Sequence, residues 1–424
     1  MKDSANLTIG KIFYVLVFFQ FPLLYIFHKG HTIPFYASYD GNYYKTLVKE
    51  LSSDVWEFIN EDQNKLASIQ VIKQVVQTFV MQLQSKNEGI KDAEEYELVK
   101  DTISSYLIDT ALEDVTNNIF HLPKPEKTHD YPENWQSCLE TPPKLRGQLE
   151  VDLNQTAGPK SFSEIATDSP ALKSGGHWSP AYCKAKNRVA IVIPYRNREI
   201  HLRYFLMYMH KTLQRQELDY QIFVVNQVDD NSFNRAKLLN VGFVEAMKQY
   251  DWQCFVFHDV DLVLENDKCL YRCPEMPRHI SVAIDKFKYK LLYAAIFGGI
   301  TSMTTDQYIQ LNGYSNLFWG WGGEDDDMFN RIRFANMKIL RPPPTTARFK
   351  MIKHDHESSN KPNPKRFSLL KNSLSRMSED GLNSLEYTVK AIHKFPTHTM
   401  IDVDLGNDGR PKAKVTLQQL RPQT

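Results

Sequence analysis

The middle of the chain alternates short apolar runs with longer amphipathic segments, and this alternation constrains the fold more than any other feature. Three runs have the length and composition of buried strands: Val189–Ile193, Tyr220–Val225 and Cys254–His258. The segments between them, Asn197–Leu213 and Asn234–Tyr250, carry apolar residues at helical spacing. This order predicts an α/β domain with a mostly parallel sheet, whose ligands bind beyond the carboxyl ends of the strands.

The N-terminus carries a nearly continuous apolar run, Ile12–Phe27, which follows Lys2 and Lys11. The run has about 16 residues, somewhat fewer than the roughly 20 that cross an average bilayer, but thin membranes accept short spans. No small-residue cleavage site follows it, so the pattern favours an uncleaved signal anchor over a removed signal peptide. We therefore expect a cytoplasmic tail over 1–11 and a transmembrane anchor over 12–27.

A stem is expected over residues 28–130, between the anchor and the next domain. Apolar residues recur at helical spacing through 43–121, which predicts that the stem is largely helical. It either self-associates or binds an accessory protein, or it acts as a spacer. The domain that follows is expected over 131–405, with a C-terminal tail over 406–424. Asn154 begins an Asn-Gln-Thr glycosylation sequon, which is typical of a luminal surface.

The cysteines and the net charge exclude two classes of protein. A formal charge of +1 is not that of a general polyanion binder, so no nucleic-acid partner is expected. The cysteines show neither a CxxC pair nor a Cys/His zinc spacing, which argues against a zinc site. In an oxidising lumen their odd number suggests two disulfides and one thiol, and the alternative is a set of buried reduced thiols. The five are Cys138, Cys183, Cys254, Cys269 and Cys273.

Two carboxylates flank Val260 directly after the third predicted strand. Asp259 and Asp261 would therefore lie at the edge of the sheet where ligands bind. Acids in this position can face a divalent cation that holds a diphosphate, because such a leaving group develops negative charge. The alternative is a capping or turn role, which is common for acidic pairs after strands.

A Trp/Gly loop precedes four consecutive acids, in the sequence Trp319–Asp327. Like charges this close raise the pKa of one another unless a cation or hydrogen bonds offset the repulsion. A carboxylate in such a setting suits a general base, and the indole faces suit sugar rings. The alternative, a surface acidic turn, leaves the tryptophans and glycines unexplained.

Further along, Met351 and His354 stand three residues apart, before the proline-stiffened stretch Lys361–Pro364. A neutral imidazole is a good ligand for a divalent metal, whereas a thioether is an unusual one. Without context, this histidine is more readily interpreted as an ordinary core or surface residue. The polar stretch after it suggests a mobile lid.

Basic and aromatic residues follow the first two predicted strands. Pro194–Arg198 brings two arginines to a helix N-terminus, a setting that can hold a diphosphate or a ribose. Phe233–Arg235 occupies the matching position after the second strand. The spacing lacks the glycine pattern of a P-loop or of a dinucleotide fingerprint.

Together these motifs resemble the β-1,4-galactosyltransferase family, glycosyltransferase family 7, and most of all its invertebrate β-1,4-N-acetylgalactosaminyltransferase members. The resemblance covers about half of the chain in the family's order. It implies a GT-A nucleotide-sugar-binding fold, an Mn²⁺ cofactor and inverting transfer from a UDP-sugar. The matching motifs are PYRNR (194–198), FNRAKLLNVGF (233–243), DVD (259–261), FGG (297–299), WGWGGEDDD (319–327), MIKH (351–354) and DGLNSL (380–385).

The resemblance also implies a role for each matching residue. Asp325 would be the general base, and Asp261, Met351 and His354 would bind Mn²⁺. The acceptor sugar would contact Gly323, Glu324, Asp325, Asp326 and Arg366. The UDP-sugar would contact Pro194, Tyr195, Arg196, Asn197, Arg198, Phe233, Asn234, Arg235, Val260, Asp261 and the lid residue Trp321. The implied disulfides are Cys138–Cys183 and Cys254–Cys273, which leaves Cys269 as the odd thiol.

One position departs from the galactose-transferring members, which carry tyrosine before the FGG motif where this chain carries Ile296. In the family, an aliphatic residue here accompanies N-acetylgalactosamine as donor sugar, because the tyrosine crowds the 2-acetamido group. We therefore expect UDP-GalNAc as donor and transfer to the 4-hydroxyl of a terminal β-N-acetylglucosamine. The runner-up is transfer of galactose to the same acceptor on a glycoprotein or glycolipid.

The anchor and the resemblance together predict a single-pass type II protein of the Golgi membrane, with its catalytic domain in the lumen. Two further interpretations compete with a sugar transferase. A lectin-like scaffold would keep sugar binding without turnover. A two-metal phosphoesterase would use the acidic motifs, but it would leave the Trp/Gly loop and the Met/His pair without a role.

Overall fold

The computed structural model describes residues 24–28, 31–35, 123–129, 131–153, 156, 158–353 and 361–407. The chain divides into two compact units, Met1–Asn117 and Asn118–Thr424. The helical part of the predicted stem, 43–121, lies outside the described residues, as do Asn154 and His354.

In the first unit, β1 (Leu24–His28) pairs antiparallel with β2 (His31–Phe35). The last residues of the predicted anchor 12–27 are therefore extended and not helical, in keeping with their aromatic and β-branched composition. Residues 12–23 lie outside the described residues. Within the part of the chain that is described, no helix has the length and apolar character needed to cross a membrane.

The second unit contains the other elements that the described residues form. Its strands are β3 (Arg188–Tyr195), β4 (Asp219–Gln227), β5 (Cys254–His258), β6 (Leu262–Leu264), β7 (Arg278–His279), β8 (Ala283–Ile284), β9 (Ile300–Thr304), β10 (Arg348–Met351), β11 (Thr388–Lys394) and β12 (Thr399–Asp404). Its α-helices are α1 (Phe162–Asp168), α2 (Glu199–Arg215), α3 (Arg235–Gln249), α4 (Thr305–Gln310), α5 (Glu324–Phe334), α6 (Arg366–Lys371) and α7 (Ser373–Arg376). Two 3₁₀ turns are formed by Asp285–Phe287 and Leu382–Ser384.

The main sheet has seven strands in the described residues, in the order β11-β12-β4-β3-β5-β9-β7. The pairs β12–β4, β4–β3 and β3–β5 are parallel, and the pairs at both edges are antiparallel. The prediction of a mostly parallel sheet is therefore wrong, and the sheet is mixed. Parallel neighbours need a long crossover, usually a helix, and the described segment between β5 and β9 contains only short strands and a 3₁₀ turn.

The predicted strands and helices from β3 to β5 are confirmed, and they form the apolar layers on both faces of the sheet. In β3, Ile191 and Ile193 pack on the α2 face, whereas Ala190 and Val192 pack on the α3 face. Helix α3 lies very close to the sheet at Gly242, where an added Cβ would come within 2.3 Å of Val192 Cγ1. This packing fixes the carboxyl ends of the parallel strands relative to one another.

A buried ion pair anchors helix α5 to the core. Arg331 and Asp327 have fully buried side chains, and Arg331 Nε lies 2.8 Å from Asp327 Oδ2. Arg331 also donates to the carbonyl oxygens of Gly313 (3.2 Å) and Asp380 (2.7 Å). Ser373 Oγ donates to the other oxygen of Asp327 at 2.6 Å. Three segments distant in sequence are thereby joined beneath the first turn of α5.

We expect Arg331→Met to lower the free energy of unfolding by up to about 3–5 kcal/mol, because the buried Asp327 carboxylate keeps only its longer ion pair with Arg376 Nη2, at 3.3 Å. Denaturant titration of the disulfide-intact catalytic domain measures this. Arg333→Met, at an exposed position of the same helix, is the matched control and should cost less than about 1 kcal/mol. Equal losses in the two variants would contradict a structural role for the pair.

Candidate active site

A cavity of about 440 Å³ opens at the carboxyl ends of β3 and β5, where the sequence places the ligand. Its walls come from segments far apart in the chain. Thirteen residues assigned from the resemblance line this cavity: Pro194, Arg196, Arg198, Phe233, Arg235, Val260, Asp261, Trp321, Gly323, Glu324, Asp325, Asp326 and Arg366.

Five assigned residues are described but do not line the cavity, and one of them, Met351, is considered below with Asp261. Tyr195 is buried at the end of β3, and Asn197 lines a neighbouring cavity of about 820 Å³. Asn234 is buried at the N-terminus of α3, where its side chain accepts a hydrogen bond from Lys237 N at 2.9 Å. Its role in the structure is therefore helix capping. Ile296 is half-buried between the lining residues Tyr293 and Gly298.

The basic wall of the cavity is formed after β3 and β4. Arg196 Nη1 donates to the carbonyl of Asn231 at 2.8 Å, and its guanidinium lies 5.2 Å from the centre of the Phe233 ring. Arg198 precedes the first turn of α2. Guanidinium groups beside a helix N-terminus suit a phosphate or diphosphate.

Carboxylates form a second wall of the cavity, around Arg235. Arg235 Nε lies 2.7 Å from Asp259 Oδ1, and Arg235 Nη1 lies 3.8 Å from Glu324 Oε1. Burial raises the pKa of Asp259, with Asp261 and Asp325 adding to the effect while Arg235 opposes it. Burial and the charge of Asp325 raise the pKa of Glu324 to about 7. The carboxylates around Arg235 thus carry more negative charge than this one arginine neutralises.

Met351 does not line the cavity, but its backbone runs beside that of Asp261, which does. Ile352 N donates to the carbonyl of Asp261 at 2.8 Å, and Met351 pairs with Leu262 where β10 meets β6. His354 lies outside the described residues, so its position relative to this pair stays a prediction. The carboxylates of this cleft suit a hard divalent cation such as Mn²⁺, and the thioether of Met351, on the adjoining backbone, would be an unusual further ligand.

The Trp/Gly loop turns sharply into α5 and presents the acids there. Gly320, Gly322 and Gly323 all have positive φ angles, of 89°, 97° and 99°, which glycine adopts without strain. Trp321 is 54 % exposed, as a lid residue would be in an open state. The backbone N–H of Trp321 donates to Lys361 O at 3.0 Å, which links the loop to the proline-stiffened stretch Lys361–Pro364.

The four consecutive acids point in different directions. Asp325 packs against Gly298, where an added Cβ would lie 2.8 Å from Asp325 Oδ2. Asp326 accepts a hydrogen bond from the hydroxyl of Tyr293 at 3.1 Å. Asp327 faces the interior and pairs with Arg331. The first three acids, Glu324, Asp325 and Asp326, therefore belong to the cavity, and the fourth, Asp327, belongs to the core.

Some residues in the walls escaped the sequence analysis. Tyr293, Phe367 and Leu370 line the cavity, and Phe367 is 69 % exposed. They stand next to assigned residues, but only the folded chain brings them to one surface. In the sequence, only two features indicated these residues: Tyr293 lies near the FGG motif, and Phe367 follows Arg366.

Both implied disulfides are confirmed. Cys138 is bonded to Cys183, and Cys254 is bonded to Cys273. Cys269 is a buried free thiol. Reduced cysteines at the other four positions are thereby excluded.

Comparison with known proteins identifies the family to which this chain belongs. Residues 138–274 match the family model for the N-terminal region of glycosyl transferase group 7, and residues 278–355 match the model described as the N-terminal domain of galactosyltransferase. The chain therefore belongs to glycosyltransferase family 7 and is a glycosyltransferase.

Individual relatives are β-1,4-galactosyltransferases. The chain is 48% identical to human β-1,4-galactosyltransferase 1 over 270 residues, which cover 64% of this chain and 67% of the relative. It is 44% identical to human β-1,4-galactosyltransferase 3 over 302 residues, which cover 71% and 76%. A solved Drosophila β-1,4-galactosyltransferase 7 mutant, in complex with manganese, UDP-Gal and xylobiose, matches with 31% identity and a TM-score of 0.45, covering 52% of this chain and 95% of that one.

The raised pKa of Glu324, about 7, gives a stability test. An acid whose pKa is higher in the folded than in the unfolded state favours folding only while protonated. The free energy of unfolding of metal-free protein should therefore fall as pH rises from about 4.5 to about 7. We expect Glu324→Gln to be more stable than wild type by about 1–3 kcal/mol at pH 8, and the difference to vanish near pH 4.5.

Denaturant titrations at the two pH values, with a chelator present, measure this difference. Glu386→Gln, at an exposed position, controls for the loss of one acidic group. A Glu324→Gln variant that is no more stable than wild type at pH 8 would contradict the electrostatic description of the cavity.

Proposed function

We propose that the chain transfers a hexose from a UDP-sugar to the 4-hydroxyl of a terminal β-N-acetylglucosamine, with inversion and with Mn²⁺ as cofactor. One observation carries the proposal: Asp261, Asp325 and the two arginines that follow β3, Arg196 and Arg198, line one cavity. The names of the relatives support β-1,4 transfer, and one solved neighbour was crystallised with manganese and UDP-Gal.

In this proposal Asp325 accepts the proton of the attacking hydroxyl. It lies in the first turn of α5, where the helix dipole favours a carboxylate, and it packs against Gly298. A base within hydrogen-bond reach of the acceptor contributes roughly 10²–10⁴-fold to the rate. Glu324 and Asp326 flank it and would hold the acceptor sugar together with Gly323 and Arg366.

The other wall would hold the nucleotide. Pro194, Arg196, Arg198, Phe233 and Arg235 line the same cavity, and the charges of the three arginines complement a diphosphate. Asp261, Met351 and His354 would hold Mn²⁺. When bound, the ion neutralises the charge that develops on the departing UDP. Trp321, which is largely exposed, would close over the donor.

The relatives and one position of the chain favour different donor sugars. The curated relatives are galactosyltransferases, which favours galactose. Ile296 favours N-acetylgalactosamine as a second candidate, because it is smaller than tyrosine and lies between residues that line the cavity. An aliphatic side chain leaves room for an acetamido group without excluding a hydroxyl, so UDP-Gal remains acceptable in either case.

The proposal also places the enzyme in the Golgi membrane as a type II protein with a luminal catalytic domain. It is supported by the apolar run 12–27, the sequon at Asn154 and two disulfides, which form and persist in oxidising compartments. A homodimer or an accessory protein bound through residues 28–130 belongs to the same proposal.

The function is tested by offering UDP-Gal and UDP-GalNAc to the protein with a β-N-acetylglucosaminide acceptor, with Mn²⁺ or with EDTA. We expect transfer only with the metal, and a β1-4 linkage by NMR. Ile296→Tyr should lower the ratio of kcat/KM for UDP-GalNAc to that for UDP-Gal by about tenfold or more, because the ring crowds the acetamido group.

Ile392→Tyr, at an exposed position of β11, is the matched control and should leave the ratio unchanged. Transfer of neither sugar would overturn the proposed function. Transfer with an unchanged ratio in Ile296→Tyr would remove only the assignment of Ile296 to donor selection.

A further inference from the structure

An irregular segment lines the cavity beside Asp325. Between Lys288 and Gly299, which the structure describes throughout, there is neither helix nor strand. This segment nevertheless carries Ile296, Gly298 and Gly299, so its backbone needs to be fixed by other means.

We propose that Arg341 and His279 are positioning residues that fix the backbone of residues 294–299, and through it the donor-sugar wall and the carboxylate of Asp325. This inference rests on the proposed function, because it assigns the two residues to the same reaction.

Arg341 holds the first part of the segment. Its Nη2 donates to the carbonyl oxygens of Ala294 (2.8 Å) and Ile296 (3.0 Å). The guanidinium is half-buried and stands 45 residues from Ile296 in sequence. A charged donor shared by two carbonyls sets the backbone on both sides of Ala295.

His279 continues the contact from Arg341 to the FGG motif. Its ring is fully buried, with Nδ1 3.3 Å from Arg341 Nε and Nε2 3.1 Å from the carbonyl oxygen of Gly298. Arg341 Nε can only donate, so Nδ1 accepts and Nε2 carries the proton that is donated to Gly298. Ser281 Oγ donates to the same carbonyl at 3.0 Å. Burial lowers the pKa of His279 to about 4, which agrees with a neutral ring.

The opposite face of the segment touches the reacting groups. Gly298 packs against Asp325, where an added Cβ would lie 2.8 Å from Oδ2. The carbonyl of Gly299 accepts from Asp259 N (3.1 Å) and from Arg235 Nη2 (3.3 Å). A shift of this backbone would therefore move the base and the donor wall together.

A positioning role and a merely structural role give different results. The clamp formed by Arg341 and His279 holds the carbonyls of Ala294, Ile296 and Gly298, none of which is assigned to the nucleotide, so binding of bare UDP should depend on it much less than transfer does. The rate of transfer and the choice between sugars should depend on it, since a displacement of about 1 Å can cost roughly 100-fold in rate.

The test compares Arg341→Met and His279→Leu with Arg203→Met in the complete protein. Arg203 is a matched control, because it also donates to two backbone carbonyls, those of Pro159 and Lys160, but does not line the cavity. For the two clamp variants we expect kcat to fall about 10- to 100-fold and the UDP-GalNAc to UDP-Gal ratio to change at least about threefold. Binding of UDP with Mn²⁺, measured by calorimetry, should stay within about twofold of wild type.

His279→Gln can still donate to Gly298 and accept from Arg341, so it should recover most of the activity that His279→Leu loses. If His279→Leu does not fold, Arg341→Met carries the test. The clamp is overturned if Arg341→Met behaves like Arg203→Met, or if kcat and UDP binding fall together. A wild-type protein that transfers neither sugar overturns the proposed function itself.

Discussion

The active cleft depends on how acidic charge is held at the end of the central strands. Asp259, Asp261, Glu324 and Asp325 line one cavity, and the half-buried Arg235 contacts two of them. Burial, and then the charges of neighbouring carboxylates, raise the pKa of Asp259 and of Glu324. Such a wall is best stabilised by a bound divalent cation and its diphosphate, and this links the electrostatics to the chemistry.

The fold supplies rigid supports on both sides of these acids. Beneath α5, the ion pair of Arg331 with Asp327 joins the helix to distant segments. Beside it, Gly298 lies against Asp325 and is itself held by His279. The exposed Trp321 stands beside a glycine-rich turn with positive φ angles. In the proposed function, Asp325 is the fixed base and Trp321 is the lid that would exclude water.

Local pattern was sufficient for β3 to β5, for the helices between them and for most of the cavity lining, because strand ends in one sheet meet at one edge. It failed where tertiary contacts decide. Asn234, assigned to the donor from the resemblance, is buried and caps α3, a contact that the local motif did not indicate. The antiparallel edges follow from a connection without a helical crossover, and Arg341 acts across 45 residues, which no local motif reveals.

Kinetics of Asp325→Asn test the central claim most directly, namely that this carboxylate takes the proton of an incoming sugar hydroxyl. The account predicts that kcat falls by about 10²–10⁴-fold while binding of UDP with Mn²⁺ is retained, and that Asp306→Asn, on an exposed position of α4, behaves like wild type. An Asp325→Asn variant that keeps wild-type turnover would contradict it.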